Sequence, residues 1–490
     1  MAPIFENDLM VLNYALTLEH LENTFYKQVL GSGTLQGNAA KYLGIIGAHE
    51  QAHVDGISQA ISKAGGTPVK ARKSYDFTKL GDLTTQAGIL AIANKLEPTG
   101  VAAYDGAARE IQDKKVLAVA GSIVQVEARH AAIIKALIDP NASPVPKSFE
   151  DLLRPAQVLA AIGTVLGPGA DQKPLDADAQ EVVDQIAASG PPPFVVTPQE
   201  ARMGPSVKDA ALAVAKKRGL STDPEPVAKV ENRTIPGPGG QIPVRVYTPS
   251  GSGPFPVVVY YHGGGWVLFS TDVYDASCRG LTNQARCVVV SVDYRLGPEN
   301  RFPAAHDDAY AAYRYVQANA GQFGGDPNRV AVAGESAGGN LATATALRAK
   351  NEGAPLPVFQ LLVYPITNYA FDTPSYKENA EAVPLSKPAM MWFFRYYLNG
   401  PEDGANPYVS PLRAPDLRGL PPALVITDDV DPLRDEGEAY AQRLRDAGVA
   451  VQSTRYTGVM HEFFSMPMVI AKAKQAQAQA GAALRAAFGN

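Results

Sequence analysis

The stretch Ala331-Val332-Ala333-Gly334-Glu335-Ser336-Ala337-Gly338-Gly339-Asn340 constrains the fold of this chain more than any other. Arg329 to Ala333 alternates and is apolar enough for a buried strand, and Asn340 to Lys350 is rich in Ala and Leu, as a helix requires. Gly334 and Gly338 frame Ser336 at the junction, so strand gives way to helix through a sharp bend of small residues. A serine held there is strained, and its hydroxyl stands clear of the backbone at a helix N-terminus, the setting of a nucleophile elbow.

At 490 residues the chain exceeds one ordinary core and implies two or more domains. Strand patterns cover Ala228 to Thr234, Pro243 to Thr248, Pro256 to His262, Cys287 to Asp293, Arg329 to Ala333, Phe359 to Tyr364, Ala423 to Thr427 and Val451 to Tyr456. Helical stretches separate most of the later ones, which predicts an α/β doubly wound sheet. The first two strands, joined by Pro236-Gly237-Pro238-Gly239-Gly240, form an antiparallel edge, and Val257 to Tyr261 reads as a strand buried on both faces. That strand ends at His262-Gly263-Gly264-Gly265-Trp266. Three glycines let backbone amides turn towards one point, as stabilising an oxyanion requires. Taken alone, such a loop could also approach a phosphate or close a tight turn; the elbow downstream favours the oxyanion.

These motifs resemble the hormone-sensitive lipase family of α/β-hydrolases, together with Val292 to Glu299, Phe302-Pro303-Ala304-Ala305 and Asp431 to Gly437. The resemblance runs from about Asp176 to the C-terminus. It implies that Ser336 is a nucleophile, that the amides of Gly264, Gly265 and Ala337 form an oxyanion hole, and that Gly263 serves the turn and His262 is structural. In α/β-hydrolases the chain order is Ser, Asp, His, which selects His461 in Gly458-Val459-Met460-His461-Glu462-Phe463-Phe464. Asp431 heads the Asp-Pro-Leu motif, and only that motif decides against Asp428 and Asp429. His306 precedes Ser336, in the wrong order, and is expected to be exposed at a helix start. The resemblance implies a serine carboxylesterase for short- to medium-chain carboxylic esters that needs no cofactor. A ligand-binding protein on the same scaffold is the alternative, against which His461 argues. A helical cap is expected from 175–222, with helices Ala177 to Ala188 and Ser206 to Arg218, and from about 371–412. There Met390, Met391, Trp392, Phe393 and Phe394 are expected to be chiefly core, some lining the acyl pocket.

The first 138 residues follow another logic. Helical periodicity covers Glu6 to Leu30, Gly37 to Ala64, Leu83 to Lys114 and Lys115 to Leu137, and the short connections predict an antiparallel bundle. An internal repeat lies within it. Glu19 with Tyr26 matches Glu97 with Tyr104, and Glu50-Gln51-Ala52-His53 matches Glu127-Ala128-Arg129-His130, at separations of 31 (50 minus 19) and 30 (127 minus 97). Each half thus offers a Glu from one helix and an E-x-x-H pair, on one helix face, from the next. This resembles the ferritin-like superfamily, rubrerythrins and bacterioferritins included, in which two such halves enclose a dinuclear iron or manganese site. Carried over, the ligands are Glu19, Glu50, His53, Glu97, Glu127 and His130. Glu22, on the same face as Glu19, stays open as the ligand in its place. Pro98 removes an amide hydrogen bond from the third helix and favours a kink. His20 and His49 point elsewhere and read as ordinary polar residues. The alternative is a metal-free bundle serving oligomerisation or as a lid.

Three parts are therefore expected in the chain: a ferritin-like four-helix bundle (1–138), a Pro-rich linker (139–174) with a short apolar segment at Ala156 to Leu166, and an α/β-hydrolase domain with cap (175–490). A net charge of -5 leaves no basic footprint for nucleic acid. No run of 18 apolar residues suggests a membrane span, and Met1 to Asp8 carries no signal-like region. A cytoplasmic protein is the expectation, unless a leader has been removed. Cys278 and Cys287 are too few for a disulfide framework and are expected to be buried thiols. The expected partners are a small-molecule ester and, through the bundle, further copies of the chain.

Overall fold

The structure is a computed structural model that describes residues 5, 7–108, 110–139, 158, 172–190 and 192–489. The expected linker, with its apolar segment, lies outside the described residues except at positions 139, 158 and 172–174. The chain divides into two compact units, Met1–Ala170 with Gly190–Val196, and Asp171–Ser189 with Thr197–Asn490.

The first unit holds helices α1 (Asp8–Gly31), α2 (Gly37–Lys63), α3 (Gln86–Ala108) and α4 (Lys114–Ile138). Asn7 caps α1 by accepting from the amide of Met10, and Asp113 caps α4 by accepting from that of Lys115. The third helix ends at Ala108, earlier than its periodicity suggests, and Asp113 starts the fourth. Pro98 lies inside α3, which continues past it to Ala108. Most of the buried apolar side chains fall into two layers, beside a small third cluster of Phe5, Val11 and Ala107. One holds Leu21, Phe25, Leu43, Ile46, Ile89 and Leu96; the other holds Leu12, Leu16, Val54, Ile57, Ile61 and Ile123. Along all four helices Glu19, Glu50, Glu97 and Glu127 fall where one layer gives way to the other. By length and composition α4 could cross a bilayer, with a mean hydropathy of 1.3 over its most apolar window. Here it is the fourth helix of the bundle and buries Glu127 and His130 beside Ala131 and Ile134.

The second unit opens with helices α5 (Ala177–Ser189), α6 (Pro198–Met203) and α7 (Val207–Lys217), the latter two started by capping boxes at Thr197/Glu200 and Ser206/Asp209. Strands β1 (Lys229–Gly237), β2 (Gly240–Thr248), β3 (Phe255–Tyr261), β4 (Val288–Val292), β5 (Gly325–Glu335), β6 (Gln360–Val363), β7 (Ala423–Val430) and β8 (Val451–Met460) form one sheet ordered β1-β2-β4-β3-β5-β6-β7-β8. β1, β2 and β4 pair antiparallel, and the remaining pairs are parallel. Every residue of β4 and β7 is buried, as strands covered on both faces should be. Connecting helices include α8 (Asp275–Ala285), α9 (Ala304–Ala318), α10 (Ala337–Asn351), α11 (Pro374–Glu378), α12 (Lys387–Tyr397), α13 (Arg434–Asp446) and α14 (Ala471–Phe488). Cys278 and Cys287 are buried free thiols.

One register decides where chemistry can occur. β3 and β5 are parallel neighbours with Tyr261 opposite Gly334, so the Gly-rich loop after β3 and the serine turn after β5 leave the sheet side by side. Carboxyl ends of adjacent parallel strands are where α/β sheets place ligands. Gly338 makes this proximity possible, because a Cβ there would run into the carbonyls of Tyr261 and His262. Gly338→Val should therefore lower the melting temperature by about 10 °C or more, or prevent folding. A variant melting with the parent in a calorimetric scan would contradict this packing.

Candidate active site and metal centre

Ser336 follows β5 at φ 57° and ψ -119°, and its carbonyl accepts from the amide of Asn340 in the first turn of α10. Its hydroxyl lies 2.9 Å from Nε2 of His461, whose Nδ1 lies 2.8 Å from Oδ2 of Asp431. The three come from loops after β5, β7 and β8, and the structure brings them into one hydrogen-bonded line. Asp431 also accepts from the amide of Leu433 at 2.8 Å, which fixes the carboxylate. Asp428 is buried with both carboxyl oxygens lacking hydrogen-bond partners among the described residues. Asp429 meets Lys173 at 3.3 Å. Neither competitor hydrogen-bonds the imidazole as Asp431 does.

Gly264 and Gly265 adopt φ of 97° and 59°, reversing the chain after β3. A Cβ on Gly263 would press on the Glu335 carbonyl at 3.2 Å, so the triplet packs directly against the serine turn. Gly265 lies under the ring of Phe393 from α12. In the insertion Met390, Trp392, Phe393 and Phe394 are buried. His262 is buried, bonded to the Gly263 carbonyl at 2.7 Å and stacked on Tyr294, and burial lowers its pKa.

His306 departs from expectation. It is buried, not exposed, and bonds Asn340 Oδ1 at 2.9 Å and the Tyr397 hydroxyl at 2.7 Å. Burial pushes its pKa down to about 4, so it is a neutral strut. Asn340 in turn donates to the carbonyls of Ile366 and Val409, both at 3.0 Å, tying the insertion to α10.

Two carboxyl groups near the imidazole escaped the sequence reading. Glu335 is fully buried and accepts from the hydroxyls of Tyr260 and Tyr364. Burial and then Glu462 raise its pKa to about 7 against those hydrogen bonds. Glu462 is raised by burial, which outweighs the attraction of His461. Burial alone would discourage charge on His461, but the carboxylate of Asp431 outweighs it and raises the imidazole pKa.

In the bundle, Nδ1 of His53 lies 3.2 Å from Glu19, 3.3 Å from Glu50 and 2.9 Å from Glu127. Nδ1 of His130 lies 2.9 Å from Glu50, 3.3 Å from Glu97 and 3.7 Å from Glu127. The six expected residues thus form two sets of four donors, each within 4.8 Å, that share Glu50 and Glu127. Glu22 is buried but belongs to neither set; its carboxyl occupies the space beside Gly100, its counterpart in the repeat. Oxygens of Glu50, Glu97 and Glu127 and Nδ1 of His130 lack aligned hydrogen bonds among the described residues, despite these short approaches. Crowded, unaligned lone pairs are how ligands of a shared cation face one another, and buried carboxylates gathered in this way need such compensation. Without cations the carboxylates hold protons on the imidazoles instead. Burial opposes this, but the carboxylates win, raising His53 to about 12 and His130 to about 11. Tyr26 donates to Glu97 and Tyr104 to Glu19, so each repeat's tyrosine orients the other repeat's terminal carboxylate. His49 is a correction: its Nδ1 meets Nε2 of His130 at 3.0 Å, orienting a proposed ligand. His20 instead bonds the Val69 carbonyl at 3.0 Å.

Comparison with known proteins agrees with both halves. The profile of the α/β-hydrolase fold matches residues 258–465. Carboxylesterase NlhH of Mycobacterium tuberculosis is 43% identical over 284 residues, covering 56% of this chain and 89% of its own. The chain belongs to the α/β-hydrolase family. Residues 7–140 match the ferritin-like domain. An arylesterase of Saccharolobus solfataricus is 36% identical over 266 residues, covering 54% of this chain and 85% of its own. Among solved structures, the esterase of Pyrobaculum calidifontis superposes with a TM-score of 0.59 at 42% identity, over 64% of this chain and 99% of that one.

The electrostatics around this α/β-hydrolase's imidazole can be measured directly. Asp431→Asn keeps the side-chain shape and removes the charge, leaving burial to dominate, so the His461 pKa should fall by about one unit or more. An NMR titration of the histidine ring protons reads this, and an unchanged value would show that Asp431 does not set the imidazole's charge.

Proposed function

We propose that the protein is a carboxylesterase for small carboxylic esters, with Ser336 as nucleophile, His461 as base and then acid, and Asp431 as orienting acid. The observation that carries this is the 2.9 Å and 2.8 Å line from hydroxyl through imidazole to carboxylate. Oγ of Ser336 bonds to the ester carbon while its proton passes to Nε2 of His461, and Asp431 stabilises the imidazolium. The amides of Gly264, Gly265 and Ala337 hold the developing oxyanion. Nε2 then gives the proton to the departing alcohol, and water repeats the sequence to release the acid. Short- to medium-chain acyl groups are the substrates proposed, and Phe393, packed on Gly265, is the cap side chain that stands beside the Gly-rich loop. The names of the related esterases support the same chemistry. Ser336→Ala should lower kcat on p-nitrophenyl acetate or butyrate by about 10⁴ to 10⁶. Turnover near the parent rate would remove Ser336 from the reaction.

The bundle has a second role, supported by the two donor sets. Glu19, Glu50, His53 and Glu127 would hold one metal ion, and Glu50, Glu97, Glu127 and His130 another, with iron or manganese suited to this carboxylate and imidazole set. Such a pair, when bound, supplies redox chemistry towards oxygen or peroxide. Four carboxylates balance two divalent cations, while Tyr26 and Tyr104 keep the outer carboxylates aimed inwards. Protein from iron- or manganese-supplemented cells should carry about two metal ions per chain, and Glu50→Ala with Glu127→Ala should lose both. Elemental analysis decides, and parent protein without either metal would end this reading.

A further inference from the structure

The acyl-transfer reading assigns one carboxylate to His461, yet more than one faces it. Glu462 has φ 72°, in the left-handed region that a non-glycine residue occupies only when its surroundings hold it there. The Tyr274 hydroxyl, at the start of α8, donates to its Oε1 at 2.7 Å, and Ser465 Oγ donates to its carbonyl at 2.8 Å. This sets Oε1 4.0 Å from Nε2 of His461, the nitrogen that bonds Ser336. Oε2 of Glu462 is buried and has no hydrogen-bond partner among the described residues. The second carboxyl, Glu335, ends β5 beside Ser336; Tyr364, which donates to it, also packs its ring 4.5 Å from the imidazole. The titratable groups facing His461 are thus Asp428 and Asp431 from β7 and its loop, Glu335 from β5, Tyr364 after β6 and Glu462 on its own segment, with Tyr274 at α8 behind Glu462.

We propose that Glu462 is a positioning residue for ester hydrolysis: held by Tyr274 and backed by Glu335, its carboxyl adds to Asp431 a second negative charge that favours the imidazolium on His461. This rests on the serine-esterase reading. No proton passes to Glu462; the Ser336 proton moves to Nε2 and on to the leaving alcohol. Burial raises both carboxyls, Glu335 further through Glu462 and Glu462 further through Asp431, while the imidazole and the Tyr274 hydroxyl favour charge on Glu462. The charge on Glu462 makes His461 harder to deprotonate, so it helps to set where activity rises with pH.

The test is the pH profile of kcat/KM for p-nitrophenyl butyrate with the full chain. Glu462→Gln should move the acidic limb down by about 0.5 pH unit or more, because His461 loses a stabilising charge. Tyr274→Phe, which frees the carboxyl from its donor and favours its neutral form, should move the limb the same way. Glu462→Asp, which keeps the charge, should stay nearer the parent. If Glu462→Gln does not fold, Tyr274→Phe and Glu462→Asp decide between them. A lowered kcat with an unmoved limb would overturn the proposal and leave Glu462 a packing residue. Ser336→Ala run alongside separates the two readings: if it is inactive and the limb is unmoved, only this inference falls; if it is active, the esterase reading falls as well.

Discussion

The hydrolase unit depends on the backbone of a single residue. Ser336 occupies φ 57° and ψ -119°, a conformation L residues avoid, and strain of this kind persists only where the surroundings overdetermine it. The Ser336 amide donates to the Val363 carbonyl of β6 at 2.9 Å, and its carbonyl accepts from Ile366 at 3.2 Å. Side chains at Gly334 or Gly338 would collide with backbone, the former with Gly338 itself and the latter with the end of β3. The glycines, the three adjacent parallel strands and the buried helix α10 are therefore one device, which presents a hydroxyl to an imidazole arriving from β8. The same compression brings the Gly-rich loop beside the Ser336 turn.

Both halves of the chain bury carboxyl groups, and they compensate them differently. Around His461, Glu335 and Glu462 are held by tyrosine hydroxyls from Tyr260, Tyr364 and Tyr274. Hydroxyl donors lower the cost of burial without cancelling charge, so net negative potential remains at the imidazole. In the bundle, four carboxylates meet two histidines, whose protons offset two of the charges, whereas a pair of divalent cations would balance all four. The tyrosines there orient the outer glutamates and are not the main counterweight.

Much of this was legible in the sequence because the decisive features are local. The eight strands, the antiparallel edge and the serine turn follow from runs such as Val257 to Tyr261 and from glycines at fixed offsets. The repeat that pairs Glu19 with Glu97 and His53 with His130 carries its own register, so the six residues could be named before any coordinate. What was not legible involves distant partners. His306 is buried because Asn340 and Tyr397 come to it from 34 and 91 residues away. His49 gained a role only through His130, 81 residues on. Glu462 gave no signal beyond being an acid directly after the histidine. Its meaning depends on Tyr274, 188 residues earlier.

The central claim is that one hydroxyl in this chain is made nucleophilic by its imidazole neighbour. Active-site titration with a fluorophosphonate, read by peptide mass spectrometry, tests it most directly. The account predicts one adduct per chain, on the peptide containing Ser336, with esterase activity lost in step. Full activity after complete labelling, or a stoichiometric adduct on another residue that tracks the loss, would contradict it.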